Sequence, residues 1–122
     1  MVYIVDRSDL DKQYFEGKDI NYIKCDLKDF DIEIFRELAK DKDIEALMIT
    51  AGFGRVARFE YIDDIEIKNQ MQVNSVSIMQ IIKAFYVRIL SENMNFYTGI
   101  MVSIARRISS TLFSTYSASK HR

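Results

Sequence analysis

Four apolar, strand-like runs alternate with longer polar or helical stretches, and this alternation constrains the fold more than any other feature. The runs cover 2–5, 20–25, 44–50 and 96–104. Strands that alternate with helices are typical of a parallel sheet, because each parallel strand needs a long crossover before the next. The sequence therefore predicts an α/β fold in which about four parallel strands have flanking helices.

Two of the stretches between the runs have helical patterns. Asp29 is a candidate N-cap for a helix that continues to Lys40 with an apolar inner face. The longest helix is predicted over 71–90, where apolar residues recur at helical spacing. Its apolar surface is wider than packing on a sheet requires, so we expect another surface to cover part of it.

Composition excludes several classes of site. The 122 residues predict a single domain, and a net charge of −1 without a basic stripe argues against nucleic acid as a partner. The one cysteine, Cys25, has no disulfide partner and lies in an apolar run, which predicts a buried thiol. A single histidine, His121, leaves no basis for a zinc or Ser-His site.

The N-terminal residues and the apolar segments indicate a cytoplasmic protein that does not enter the membrane. Three aspartates lie within the first dozen residues, which does not fit a signal peptide. The most apolar stretch, 76–90, is interrupted by Gln80, Lys83 and Arg88 and is shorter than a membrane span of about 18 residues.

Residues capable of proton transfer occur near the end of the chain. Tyr116 and Lys120 are four residues apart, a spacing that places both on one face of a helix. A neighbouring ammonium lowers the pKa of a phenol, and a phenol tuned in this way can exchange protons near neutral pH. Ser103 precedes the tyrosine by thirteen residues and ends an apolar run, where it could hold a carbonyl oxygen.

Alternatives remain open for the serine and for a buried asparagine. Ser109, Ser110 and Ser114 compete with Ser103, which could instead only terminate its strand through local hydrogen bonds. Asn74 lies at the start of the long apolar helical pattern, where it could be an N-cap or a buried amide bonded to backbone.

Polar residues follow the predicted strands at their carboxyl ends. They are Asp6, Asp26, Thr50 and Ser103; Arg7 follows Asp6, Leu27 follows Asp26, and Ala51-Gly52 follows Thr50. Ligands of open α/β sheets bind outside this edge. Taken in chain order, these residues together with Asn74, Tyr116 and Lys120 resemble the short-chain dehydrogenase/reductase family.

The resemblance implies an NAD(P)-dependent oxidoreductase with a Rossmann-like, doubly wound parallel sheet, acting on a small carbonyl or alcohol. It implies a catalytic tetrad of Asn74, Ser103, Tyr116 and Lys120. It also implies cofactor-binding residues Asp6, Arg7, Asp26, Leu27, Thr50, Ala51, Gly52, Tyr116 and Lys120. Thr50 stands where the family usually has asparagine. A homo-oligomer through the 71–90 helix is implied as well.

The nucleotide preference depends on two adjacent residues of opposite charge. The Asp6 carboxylate could accept hydrogen bonds from two ribose hydroxyls, which favours NAD. The neighbouring Arg7 could instead bind a 2′-phosphate bidentately, as NADP requires. We expect NAD to be preferred.

The chain departs from the family in its glycines. Its four glycines, Gly17, Gly52, Gly54 and Gly99, do not form the Gly-rich turn that receives a pyrophosphate at a helix N-terminus. We therefore expect a truncated Rossmann-like domain that covers about half of a family member and binds the cofactor poorly alone. The alternative function is a catalytically inactive fragment or an oligomeric interaction module of the same fold.

Overall fold

The computed structural model describes residues 1–9, 11–54, 57–92 and 96–101. In chain order the elements are strand β1 (Val2–Asp6), a 3-10 turn (Lys12–Tyr14), strand β2 (Ile20–Lys24), helix α1 (Glu33–Ala39), strand β3 (Ala46–Ile49), a 3-10 turn (Phe59–Tyr61), helix α2 (Asp64–Met71), a π-helical segment (Gln72–Val76), helix α3 (Ser77–Glu92) and strand β4 (Tyr97–Ile100). The predicted α/β class with four strands is confirmed. The chain forms two compact units, Met1–Phe30 and Asp31–Arg122.

The first unit is a parallel pair of strands joined by a polar connector. β1 and β2 are in register from Val2 opposite Ile20 to Asp6 opposite Lys24. Asp11 begins the 3-10 turn by accepting a hydrogen bond from the Gln13 N–H at 3.2 Å. Gly17 has a φ of 76°, a left-handed conformation that favours glycine, and it turns the chain toward β2.

The second unit contains the other parallel pair. β3 and β4 are in register from Ala46 opposite Tyr97 to Ile49 opposite Ile100. The Met48 side chain lies over Gly99. A Cβ atom added at Gly99 would be only 2.5 Å from the Cε atom of Met48. Glycine at this position therefore gives the Met48 side chain its space.

Helices α1 and α3 pack on each other and supply most of the buried apolar side chains of this unit. The core residues are Phe35, Ala39, Ile49, Ile62, Val73, Ile78, Ile81, Phe85 and Phe96. The Phe85 and Phe96 rings are 6.0 Å apart, so α3 is in direct contact with the residue that precedes β4. Burial of each large side chain stabilises the fold by about 1.5–3 kcal/mol.

Helix α1 begins later than the sequence predicts, and the assignment of Asp29 as its N-cap is wrong. The N-cap is Ile32, which makes no side-chain cap hydrogen bond. Asp29 is part of a preceding turn, because its N–H donates to the Asp26 carbonyl at 3.2 Å. The Asp31 carboxylate then accepts from the Glu33 N–H at 3.0 Å, at the start of the helix.

The long helix begins earlier than predicted. α2, the π-helical segment and α3 follow one another without a break from Asp64 to Glu92. Asp63 is its N-cap and accepts from the Glu66 N–H at 3.1 Å. The apolar periodicity used for the prediction starts only at residue 71, because the first two turns are largely polar. By length and composition alone this helix could cross a bilayer, a property shared by core helices of water-soluble proteins.

Arg88 of α3 joins three parts of the second unit. Its Nη1 donates to the carbonyls of Ala39, at 3.2 Å, and Asp41, at 2.6 Å, and its Nη2 donates to the Ile44 carbonyl at 2.5 Å. The guanidinium carbon is 5.2 Å from the centre of the Phe96 ring. Arg88 therefore caps the carboxyl end of α1 and binds the segment that leads into β3. It also contacts Phe96, the residue directly before β4.

We expect Arg88→Met to destabilise the second unit by roughly 2–4 kcal/mol, because backbone carbonyls lose a charged donor and the cation–π contact is lost. Urea denaturation followed by circular dichroism measures this change. Arg36→Met is the matched control, since Arg36 forms an exposed ion pair with Glu33 on α1 that is worth less than about 1 kcal/mol. Equal midpoints for the two variants would contradict the role given to Arg88.

Candidate cofactor-binding site

Two carboxylates lie at the carboxyl edge of the β1–β2 pair. Asp6 is the last residue of β1, and its backbone carbonyl accepts from the Cys25 N–H at 2.8 Å, so Asp26 follows directly at the same edge. The Asp6 carboxylate accepts from the Arg7 N–H at 2.7 Å, and the Asp26 carboxylate accepts from the Lys28 N–H at 3.0 Å. These local hydrogen bonds orient both carboxylates at the end of the sheet.

A short connector is held over the edge by two side chains of β2. The Tyr22 hydroxyl donates to the Ser8 carbonyl, and the Lys24 ammonium forms an ion pair with Asp9 at 2.7 Å. The hydrogen bond to Asp9, together with its charge, raises the pKa of Lys24. Burial raises the pKa of the Tyr22 phenol, and the charges of Asp6 and Asp9 raise it further. Sequence patterns did not single out Asp9, Tyr22 or Lys24, because their contacts depend on how the connector folds back.

Cys25 is a buried thiol, as predicted, and its side chain is 7% exposed. Burial raises its pKa, and the nearby Asp26 charge adds to this effect. A raised pKa reduces the thiolate fraction, so Cys25 is chemically quiet although it lies beside the edge.

The residues after β3 form a second edge, in the second unit. Thr50 and Gly52 are exposed and Ala51 is half-buried. The next residue, Phe53, is held at both of its backbone polar groups by Asn74. Asn74 Oδ1 accepts from the Phe53 N–H at 2.9 Å, and Asn74 Nδ2 donates to the Phe53 carbonyl at 2.7 Å.

Asn74 is fully buried in the π-helical segment in the middle of the long helix. The N-cap interpretation of this residue is therefore wrong, because the helix begins ten residues earlier, at Asp64. The alternative, a buried amide bonded to backbone, is confirmed. Single-turn π segments widen a helix locally and are frequent at functional sites. Here the π segment carries the amide that fixes the loop directly after 50–52.

A polar stripe lies on the buried side of the same helix. Gln70, Asn74 and Ser77 are each at most 1% exposed, and the Ser77 hydroxyl donates to the Val73 carbonyl at 2.8 Å. Gln70 Oε1 is buried and has no hydrogen-bond donor within the part of the chain that the structure describes. Sequence patterns do not single out Gln70, since a glutamine in a helical pattern is usually exposed.

Three members of the predicted tetrad, Ser103, Tyr116 and Lys120, lie outside the described residues, as do Ser109, Ser110 and Ser114. The roles of all the site residues therefore stay predictions. Among residues 1–9, 11–54, 57–92 and 96–101, no group of three or more histidine, cysteine, aspartate or glutamate side chains is placed to hold a metal ion.

Solved structures with the same backbone arrangement are dehydrogenases and reductases. One is a bulky-bulky ketone specific alcohol dehydrogenase from Comamonas testosteroni, with a TM-score of 0.82 and 20% identity over 97% of this chain and 51% of that chain. Another is a short-chain dehydrogenase from Sphingobium yanoikuyae in complex with NADPH, with a TM-score of 0.77 and 18% identity over 88% of this chain and 43% of that chain. The fold is that of the short-chain dehydrogenases.

A third structure with this fold is an NADH-dependent reductase complexed with NAD, with a TM-score of 0.74 and 22% identity over 98% of this chain and 56% of that chain. This chain thus spans about half the length of these short-chain dehydrogenases. A scan against protein-family models and a search of curated protein sequences find no match. The Rossmann-like fold predicted from the motifs is confirmed.

We expect Asn74→Leu to destabilise the chain by roughly 2–4 kcal/mol and to speed hydrogen exchange of the Phe53 amide, because both Phe53 backbone groups lose their partner. Asn74→Asp keeps an acceptor for the Phe53 N–H, but it repels the Phe53 carbonyl and buries a charge, so at neutral pH we expect it to destabilise the chain at least as much as Asn74→Leu. Gln80→Leu, on the exposed side of the same helix, is the control. Unchanged Phe53 exchange in Asn74→Leu would show that other contacts hold the loop.

Proposed function

We propose that this chain is the central part of an NAD(P)-dependent oxidoreductase of the short-chain dehydrogenase/reductase family that interconverts a small carbonyl and an alcohol. The observation that carries the proposal is the position of the polar residues in this fold. Asp6 ends β1, and Asp26 and Thr50-Ala51-Gly52 come just after β2 and β3, at the carboxyl ends where open α/β sheets bind ligands.

The donor set at the first edge fits the adenosine end of a dinucleotide. Ribose hydroxyls are hydrogen-bond donors, and the Asp6 carboxylate is an acceptor that its own backbone contact with the Arg7 N–H holds in place. Asp26 and Leu27, on the neighbouring strand end, would border the adenine. We also propose Thr50, Ala51 and Gly52 as cofactor-binding residues, on the resemblance to the family, and their loop is anchored through Phe53 and Asn74.

The proposed chemistry divides between hydride and proton transfer. A bound nicotinamide would supply the hydride. Tyr116 would hold the proton at its phenol oxygen, Lys120 would lower the pKa of that phenol, and Ser103 would orient the substrate oxygen. Asn74 would be a positioning residue that holds the loop after Gly52, because its amide is hydrogen-bonded to the Phe53 backbone. We propose NAD as the preferred nucleotide, a cytoplasmic location and a single domain over 1–122.

The test of this proposal is carbonyl-dependent loss of NADH or NADPH absorbance over a panel of ketones and aldehydes. The 122-residue chain and a form with any flanking coding sequence of its gene are both assayed. In the active form, Tyr116→Phe should lower turnover by about 10²–10⁴ while leaving nucleotide affinity nearly unchanged, since only a proton donor is lost. Lys120→Met should impair both. Near-normal turnover in Tyr116→Phe would rule out the tetrad.

A second candidate function, an oligomeric interaction module, is supported by the apolar exposed side of α3. The large exposed apolar side chains are Val76, at the end of the π-helical segment, and Met79, Tyr86, Val87 and Leu90 of α3, and the exposed Lys83 lies on the same side. At 3.6 residues per turn they fall on one side of the helix, opposite the buried residues Ile78, Ile81 and Phe85. We propose that a second copy of the chain covers this side, which is compatible with either an active or an inactive protein.

We expect the chain to sediment as a dimer or larger assembly at micromolar concentration, because burying this side removes apolar surface from water. The double variant Met79→Glu/Leu90→Glu should sediment as a monomer, since two carboxylates would be buried at the contact. Tyr14→Glu, at an exposed aromatic of the first unit, is the control. A monomeric parent chain would contradict the proposed contact.

A further inference from the structure

Lys24 is the cross-strand neighbour of Asp6, the residue that we propose for the ribose, and its ammonium is already engaged. Lys24 is the register partner of Asp6 at the ends of β2 and β1, and paired residues on neighbouring strands project to the same face of a sheet. The Lys24 ammonium is 2.7 Å from Asp9. Lys24 is the one cation of β2 at this edge, and this contact pairs it with the connector residue Asp9.

Asp9 is held in place by the chain around it. The preceding residue, Ser8, accepts a hydrogen bond at its carbonyl from the Tyr22 hydroxyl, two residues before Lys24 on the same face of β2. Tyr22 is itself stacked on Phe15, with ring centres 6.0 Å apart. The connector is therefore fixed over β2 at two points, and the Asp9 carboxylate is kept within reach of Lys24.

The charged groups around this edge come from both strands and from the turn beyond them. Asp6 and Asp9 are negative, and Arg7 and Lys24 are positive; Asp26 is 3.8 Å from Lys28, so these two charges largely offset each other. A 2′-phosphate on a ribose bound at Asp6 would carry about two negative charges and would need free cations nearby. With Lys24 on Asp9, Arg7 is the cation that the described part of this edge leaves for that phosphate.

We infer that Asp9 is a specificity-determining residue: by engaging Lys24, it makes this edge select nucleotides with a free 2′-hydroxyl over those with a 2′-phosphate. The inference rests on the proposed function, which supplies the ribose at Asp6. Asp9 acts in two ways, since it occupies the Lys24 ammonium and also adds a negative charge that repels a phosphate.

The size of the effect follows from the exposure of the pair. The Lys24 and Asp9 side chains are 58% and 87% exposed, so the ion pair is of the solvent-screened kind. Removing the Asp9 carboxylate would release the lysine and take away a negative charge near the phosphate. The affinity for a nucleotide with a 2′-phosphate, relative to one with a free 2′-hydroxyl, should then rise about two- to fivefold. Because the charges are exposed, the change should shrink as ionic strength rises.

The test is a titration of the full 122-residue chain with 5′-AMP and with adenosine 2′,5′-bisphosphate, followed by amide NMR shifts, which report weak as well as tight binding. Asp9→Asn should improve binding of the bisphosphate relative to 5′-AMP by about two- to fivefold at low salt, and less at high salt. Adding Lys24→Met to Asp9→Asn should reverse most of the gain, since the released ammonium is the proposed cause.

Glu37→Gln is the matched control, because it removes a carboxylate 2.9 Å from another exposed lysine, Lys40, on α1. It should leave the affinity ratio unchanged. If both nucleotides shift the amides of Asp6, Asp26 and Leu27 but Asp9→Asn leaves the ratio as it was, the role of Asp9 is wrong and the adenosine site stands. If neither nucleotide shifts these amides, the adenosine site itself is wrong, and the inference falls with it.

Discussion

The second unit depends on one guanidinium. Helix α1 ends with carbonyls that its own hydrogen-bond ladder cannot satisfy, and the chain must then turn into β3. Arg88 donates to three carbonyls of this turn and lies against Phe96, which leads into β4. The planar guanidinium has five N–H donors at fixed angles, so its two terminal nitrogens can serve carbonyls on both sides of this turn. The entry points of the two strands are thereby set, and with them the position at which Thr50 leaves β3.

At the other end of β3, a second buried polar side chain also binds backbone groups of a loop. Asn74 satisfies both backbone groups of Phe53, so the loop after Gly52 is tied to the long helix. Leaving either Phe53 group buried and unpaired would cost about 1–3 kcal/mol, which makes this amide a strong constraint on the loop. In the sequence, Asn74 resembles the catalytic asparagine of the family. Its contacts with Phe53 give it a structural role that does not depend on whether the chain is active.

The first unit is organised differently, since its edge is exposed and held by local charges. Asp6 and Asp26 are each oriented by a backbone N–H within two residues, and Asp9 reaches Lys24 across the connector. Exposed contacts of this kind are weak individually and sensitive to salt. Such contacts contribute little to the stability of a fold, but they leave charged groups available to a polar ligand. The nucleotide selection that we propose at this edge and the support of the fold by Arg88 and Asn74 therefore involve different residues.

The sequence by itself determined that four strands alternate with helices, and it located the polar residues at the carboxyl ends of the first three strands, because apolar runs and the residues that end them are local properties. It also located the core of the long helix, but not its start, since the polar turns after Asp63 have no apolar stripe. Only the tertiary structure decided what Arg88 and Asn74 do. Arg88 reaches carbonyls 44 to 49 residues away, and Asn74 reaches a loop 21 residues away. A pattern along the chain does not encode such partners, because they become neighbours only when helix packing brings distant backbone together.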